Sequence, residues 1–239
     1  MIALFLHAIR LFHRHRLLAA YLIVAAIYIA LLAAFPDAPA AILAPFVVYS
    51  DPVMVGLLFA GVITLLEREW GTPEQLRVSG IAPPYIRIVR TTAFLVPAIV
   101  TSVIIAVGSA LVVDPISHFR IAPLSVSIVG GSVTASVVGI VIAERARNSN
   151  HFFVLLVVPI IICAVPILSF VPRFQSAIWI FVPWWGPLRL AVDAVVLELG
   201  APGRLTFGSP GGGAAYANTV VWTVVAIAVA FRLPRRFDA

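Results

Sequence analysis

Long apolar stretches alternate along this chain with short charged or turn-forming ones. Six stretches stand out: Leu17 to Phe35, Ile42 to Leu66, Ile88 to Val113, Ile121 to Ala143, Phe152 to Val171 and Ala214 to Phe231. Each has about 18 or more mostly apolar residues, enough for a helix to cross a ~30 Å hydrocarbon layer. The pattern predicts an all-α polytopic membrane protein with six transmembrane helices, residues 1–239 forming a single domain. Two flanking regions read differently. Met1 to Arg16 mixes apolar residues with His7, Arg10, His13, Arg14, His15 and Arg16, which predicts an amphipathic helix lying at the membrane interface. From Pro172 to Gly213, Trp179, Phe181, Trp184 and Trp185 are broken by Pro183 and Pro187 and joined by Arg189, Asp193 and Glu198. That segment predicts short re-entrant helices with aromatic rings at headgroup level rather than a full crossing.

Composition agrees with this class. The chain is 62% hydrophobic and 11% charged, with a mean hydropathy of +1.10, more apolar surface than one soluble core can cover. All of its basic residues other than histidine are Arg, and their placement gives an orientation. Arg10, Arg14 and Arg16 precede the first span; Arg68, Arg77, Arg87 and Arg90 follow the second; Arg145 and Arg147 follow the fourth; Arg232, Arg235 and Arg236 follow the sixth. The opposite side holds only Arg120, Arg173, Arg189 and Arg204. The positive-inside rule therefore puts both termini and the 67–90 loop in the cytoplasm of a plasma-membrane protein. It also makes the high pI a topology signal, so no nucleic-acid partner is expected. The basic start, apolar run and Ala38-Pro39-Ala40 imitate a signal peptide, but the run is longer than 7–15 residues and reads as the first span.

Candidate chemistry is sparse. No metal site is expected from the three clustered His, because no carboxylate or Cys completes a ligand set. Cys163 lies alone in an apolar run and reads as a small hydrophobe. No nucleophile–base constellation emerges, and a chain without Lys has no Walker A lysine, so neither an active site nor a nucleotide cofactor is expected on this chain. Ser50-Asp51-Pro52 reads as a helix start, with Asp51 as N-cap near the external mouth and the spanning helix beginning at Pro52. If Asp51 lay deeper, its cost of roughly 2.5–3.5 kcal/mol would demand a partner and point to a functional role. Gly131, Ala135, Gly139 and Ala143 recur every four residues in the fourth span, a stripe for close helix packing. Pro97, Pro159 and Pro166 are expected to kink their helices. Trp185, Arg189 and Asp193 are candidates, with Asp51, for an external gate; simple interfacial anchoring is the alternative. Arg189 and Asp193 are spaced to pair on a short helix.

The loop after the second span carries the clearest motif. It runs Glu67-Arg68-Glu69-Trp70-Gly71-Thr72-Pro73-Glu74-Gln75-Leu76-Arg77-Val78-Ser79-Gly80-Ile81. Thr72 suits an N-cap, Pro73 the first helical position, and Gln75 the third position of a capping box. Gly80 provides a left-handed stop, and Pro83-Pro84 forbid continuation. About two turns of helix then expose Glu74, Gln75 and Arg77, with Leu76 and Val78 as apolar knobs for a soluble partner.

This loop resembles the signature of the permease subunits of type-two ABC exporters: acidic-x-acidic-x-Gly-Thr-x-Glu-x-Leu-x-Val-Thr/Ser-Pro-Leu/Ile. Glu67, Glu69, Gly71, Thr72, Glu74, Leu76, Val78, Ser79 and Ile81 match it; Gly80 stands where the family has Pro. A closer likeness, to the permeases of fluoroquinolone-type drug exporters, rests on Val48-Tyr49-Ser50-Asp51, Val158-Pro159, Val182-Pro183 and Gly186-Pro187-Leu188. The resemblance implies coupling to a separate ABC ATPase subunit through the 72–80 helix. Glu67, Glu69, Gly71, Thr72, Glu74, Leu76 and Arg77 would form the coupling element. ATP and Mg would sit on the partner, and a second permease, identical or homologous, would complete the path within the lipid. The cargo expected is hydrophobic or amphipathic. The rival class is a self-contained carrier or channel without an ATPase; a carrier usually shows intramembrane charges and internal repeats, and neither is visible in the sequence.

Overall fold

The computed structural model describes residue 5 and residues 17–35, 37–71, 78, 83–113, 116–174, 176–197 and 212–232. Its helices are α1 (Leu17–Ala34), α2 (Asp37–Met54), α3 (Ala60–Glu69), α4 (Pro83–Val112), α5 (Ile121–Arg145), α6 (Ser149–Ala164), α7 (Trp185–Ala194) and α8 (Gly212–Arg232). A single π-turn, Val55–Phe59, joins α2 to α3 without a break. Five helical segments are long and apolar enough to cross a membrane: Ile42–Glu69, Pro84–Val112, Ile121–Arg145, Ser149–Phe170 and Gly212–Arg232. Helix α1 is shorter and stands outside that count. This is the architecture of a polytopic helical membrane protein.

Helix α5 is the central post, packing against α2, α3, α4, α6, α7 and α8. Its small-residue stripe explains how. A Cβ placed on Gly56 in the π-turn would lie 2.8 Å from the Ala135 Cβ and 2.9 Å from the Ser132 carbonyl oxygen; one on Gly139 would lie 2.8 Å from the Gly56 carbonyl oxygen. Two backbones thus meet where neither side has room for a methyl group, as the four-residue spacing predicts. Around this crossing Tyr49, Val53, Leu57, Leu65, Ala135, Ala143, Phe152 and Leu188 form the largest buried apolar cluster. The outward faces of α1, α4, α6 and α8 are apolar as well, with Ile23, Val107, Val154 and Val224 all more than half exposed. An exposed surface this apolar is suited to lipid rather than water.

Two expectations are corrected here. The second segment does not break at Asp51: α2 is helical from Asp37 and carries both Pro45 and Pro52 inside it. The irregularity falls instead at the π-turn, where Gly56 is pressed against α5. The aromatic residues of the 172–197 region divide: Trp179, Trp184 and Trp185 are buried in the bundle, while Phe181 is exposed. This region forms 3-10 turns at Pro172–Phe174 and Ala177–Phe181 and then α7. Its fixation is polar. Asn218 of α8 accepts from the Gly186 N–H at 2.9 Å and donates to the Ile180 and Val182 carbonyls at 2.6 and 3.1 Å. Ser127 of α5 donates to the Pro187 carbonyl at 2.6 Å. The chain turns into α7 through Trp184, which takes a left-handed φ of 63°.

One further departure from an all-α chain is small. Ile116–Phe119 (β1) and Val195–Leu197 (β2) pair antiparallel, and the Arg120 N–H donates to the Ala194 carbonyl at 2.7 Å beside them. This ribbon joins the C-terminal ends of α4 and α7. At Pro166 the fifth span passes into a 3-10 turn, Val165–Phe170, while α4 and α6 continue as helix through Pro97 and Pro159.

Candidate functional site

The loop singled out by its motif springs from α3 and returns into α4, and four charged residues near its two ends are not solvated. Glu67, Arg87, Arg90 and Glu144 are all buried. Glu67 at the end of α3 pairs with Arg90 of α4. One turn away, Arg87 grips Glu144 of α5 with Nε 3.1 and 3.0 Å from the two carboxylate oxygens and Nη2 2.6 Å from Oε2. Planar guanidinium and planar carboxylate meet as a fork, the strongest form of such a pair.

Arg87 and Arg68 also finish other helices. A helix leaves its last four carbonyls without intrahelical partners. Arg87 Nη1 donates to the Ala230 carbonyl at the end of α8, 2.6 Å away. Arg68 Nη1 donates to the Ala143 and Ala146 carbonyls at the end of α5, at 2.7 and 2.9 Å. A cation at a helix C-terminus also complements the helix dipole. The two flanks of the 70–82 loop therefore clasp the ends of α5 and α8, and α3, α4, α5 and α8 are tied together at one end of the bundle.

Burying so much charge costs more than packed apolar side chains would, because desolvation offsets most of the attraction. The clasp is thus not explained as a source of stability. It fixes which helix ends stay together, and that is a mechanical property.

The predicted coupling residues divide. Glu67 is in the clasp. Glu69 is exposed two residues on, where the helix runs out. Gly71 turns the chain with φ 68°, its N–H on the Arg68 carbonyl at 3.1 Å, the left-handed helix stop expected of glycine. Thr72, Glu74, Leu76 and Arg77 lie outside the described residues, as does the amphipathic helix expected before Arg16, apart from Phe5.

The predicted gate residues are not brought together. Trp185 is buried beside Trp179, Leu190 and Ala215. Arg189 and Asp193 pair at 3.2 Å along α7, as their spacing predicts, in a partly exposed position. Asp51 is far from being a cap: it is 2% exposed within α2, and its carboxylate bonds to Thr101 Oγ1 at 2.5 Å and Ser102 Oγ at 3.3 Å on α4.

Arg68, Arg87, Arg90 and Glu144 are missing from the sequence-derived site because each arginine reads as a topology marker. A signal was present: Arg87 and Arg90 are three apart, on one face of a helix whose neighbours Ile86 and Val89 are apolar. Comparison with protein-family models, with curated proteins and with solved structures finds no match for this chain.

Proposed function

We propose that this chain is the permease subunit of an ATP-driven exporter of the ABC type, moving hydrophobic or amphipathic cargo, a drug-like molecule or a lipid, out of the cytoplasm. The observation that carries the reading is the buried clasp on both flanks of the motif-bearing loop. A push on the 72–80 segment by a soluble partner reaches Glu67 and Arg68 on one side and Arg87 and Arg90 on the other. Through them it reaches the ends of α5 and α8. In this reading α1 is a sixth span, both termini and the clasp are cytoplasmic, and residues 172–213 face outward. ATP and Mg belong to the ATPase subunit, and a second permease lines the other half of the path.

A carrier that needs no ATPase is favoured by one observation, the carboxyl group of Asp51 buried well inside the Ile42–Glu69 segment. The readings part at the loop. Under the exporter reading, Leu76→Asp or Glu74→Arg yields a permease that inserts normally yet loses its ATPase partner on co-purification, or loses transport. Variants that keep both, or a native chain that transports without any ATPase, would sink it.

A further inference from the structure

Asp51 lies where α1, α2 and α4 meet. It has no ion-pair partner among the described residues, and the polar groups bonded to it are hydroxyls. Thr101 is fully buried, with its Oγ1 2.5 Å from Asp51 Oδ2 and also 3.0 Å from the Pro97 carbonyl oxygen and 3.4 Å from that of Ala98. A hydroxyl has one proton to give. Both hydroxyls can point their protons at Oδ2; when Asp51 carries a proton, Thr101 turns its own to the Pro97 carbonyl and accepts from the carboxyl group instead. Ser102 Oγ, 3.3 Å from the same Oδ2, then donates into a remaining lone pair.

We infer that Asp51 is a proton-binding site inside the bundle, occupied in this arrangement of the helices, with Thr101 and Ser102 as its hydrogen-bonding shell. Burial without a counter-charge decides between the two protonation states. An isolated carboxylate at this depth costs several kcal/mol unless a positive charge accompanies it, and a proton is the one cation that needs no cavity. Tyr21 adds a reserve donor. Its residue is 1% exposed, its hydroxyl has no hydrogen-bond partner among the described residues, and its ring packs with Val55 and Ala98, one turn from Asp51 and from Thr101 and Ser102. On α1 the titratable group packed beside this site is Tyr21; α4 bonds Asp51 through the Thr101 and Ser102 hydroxyls, and Tyr49 on α2 itself is engaged with the Cys163 carbonyl at 3.0 Å. Release of the proton leaves an ionised carboxylate that needs a further donor, and Tyr21 is placed to give one. The site does not depend on the exporter reading, and its test uses no ATPase.

Infrared spectroscopy of the full-length protein in lipid vesicles at neutral pH tests it. The native protein should show the carbonyl-stretch band of a protonated carboxylic acid, shifted by deuterium exchange. That band should be lost in Asp51→Asn and moved to higher frequency in Thr101→Val, which removes its acceptor. Thr101→Val alone decides the matter if Asp51→Asn does not fold. A native protein with no such band, a band indifferent to both substitutions, or one that disappears on adding sodium ions would overturn the inference, the last by making the site one for a metal cation.

Discussion

Arg87 does the work of three separate contacts with one side chain, and the consequence is an asymmetry between its removal and its partner's. Glu144→Leu leaves the guanidinium buried without its carboxylate, so the variant should lose about 3–5 kcal/mol. Arg87→Met with Glu144→Leu removes both charges and should unfold close to the native temperature, despite the bond to Ala230 being given up. Thermal unfolding of the two variants in one detergent checks this; equal losses would mean that the pair holds the fold rather than its specificity. Residues of this kind are hard to read from sequence. Arg87 and Glu144 are 57 positions apart, and nothing local says that one guanidinium will face inward while Arg145, next to that glutamate, stays exposed. Asp51 was half legible: its depth was misread because Ser50-Asp51-Pro52 is also a good helix start, but the need for a partner at greater depth follows from the cost of a buried carboxylate alone.

Among the elements, the apolar helices follow their sequence closely, because helix length and hydropathy are set by the hydrocarbon they must cross. The Trp-rich region does not. Aromatic and proline residues with scattered charges describe an interfacial segment equally well, and what ties it into the bundle is a pair of polar residues on other elements, Ser127 and Asn218. Asn218→Ala strips the Gly186 N–H and the Ile180 and Val182 carbonyls of their side-chain partner. The Val182 carbonyl keeps the Trp185 N–H at 3.4 Å, and the Gly186 N–H, left buried without its acceptor, costs about 1–3 kcal/mol. Hydrogen exchange should therefore speed up across residues 176–187, with the 83–90 turn of α4 unaffected. Unchanged exchange would show that the aromatic packing suffices. The β1–β2 ribbon was illegible for a plainer reason: four- and three-residue strands carry too few positions for a period to emerge.

At the scale of the whole molecule, the arginine distribution and the structure agree on which ends belong together. Arg68, Arg87 and Arg90 gather with the ends of α5 and α8, while Arg120 lies beside the ribbon that joins the far ends of α4 and α7. The positive-inside rule proposes the clasp end as the cytoplasmic one, and labelling tests it. A single cysteine at position 204 should react with an impermeant reagent added outside, and one at position 77 should be spared until the membrane is opened; the reverse pattern would invert the orientation and remove the loop from any cytoplasmic partner.

The π-turn at Val55–Phe59 also has an angular meaning. Successive residues of an α-helix are rotated by about 100°, so an unbroken helix would point Asp51 and Glu67 roughly 160° apart. One π-turn inserts a single extra residue and sets the phase back by about 100°. Both acids then look toward the same neighbour, Asp51 to Thr101 and Ser102, Glu67 to Arg90. Those partners lie along one side of α4, since eleven residues amount to almost exact whole turns between Arg90 and Thr101. The wide turn works as a phase shifter: should it tighten to ordinary α-helix, one of the two acids must rotate off α4, and the proton site and the clasp could not both stay closed.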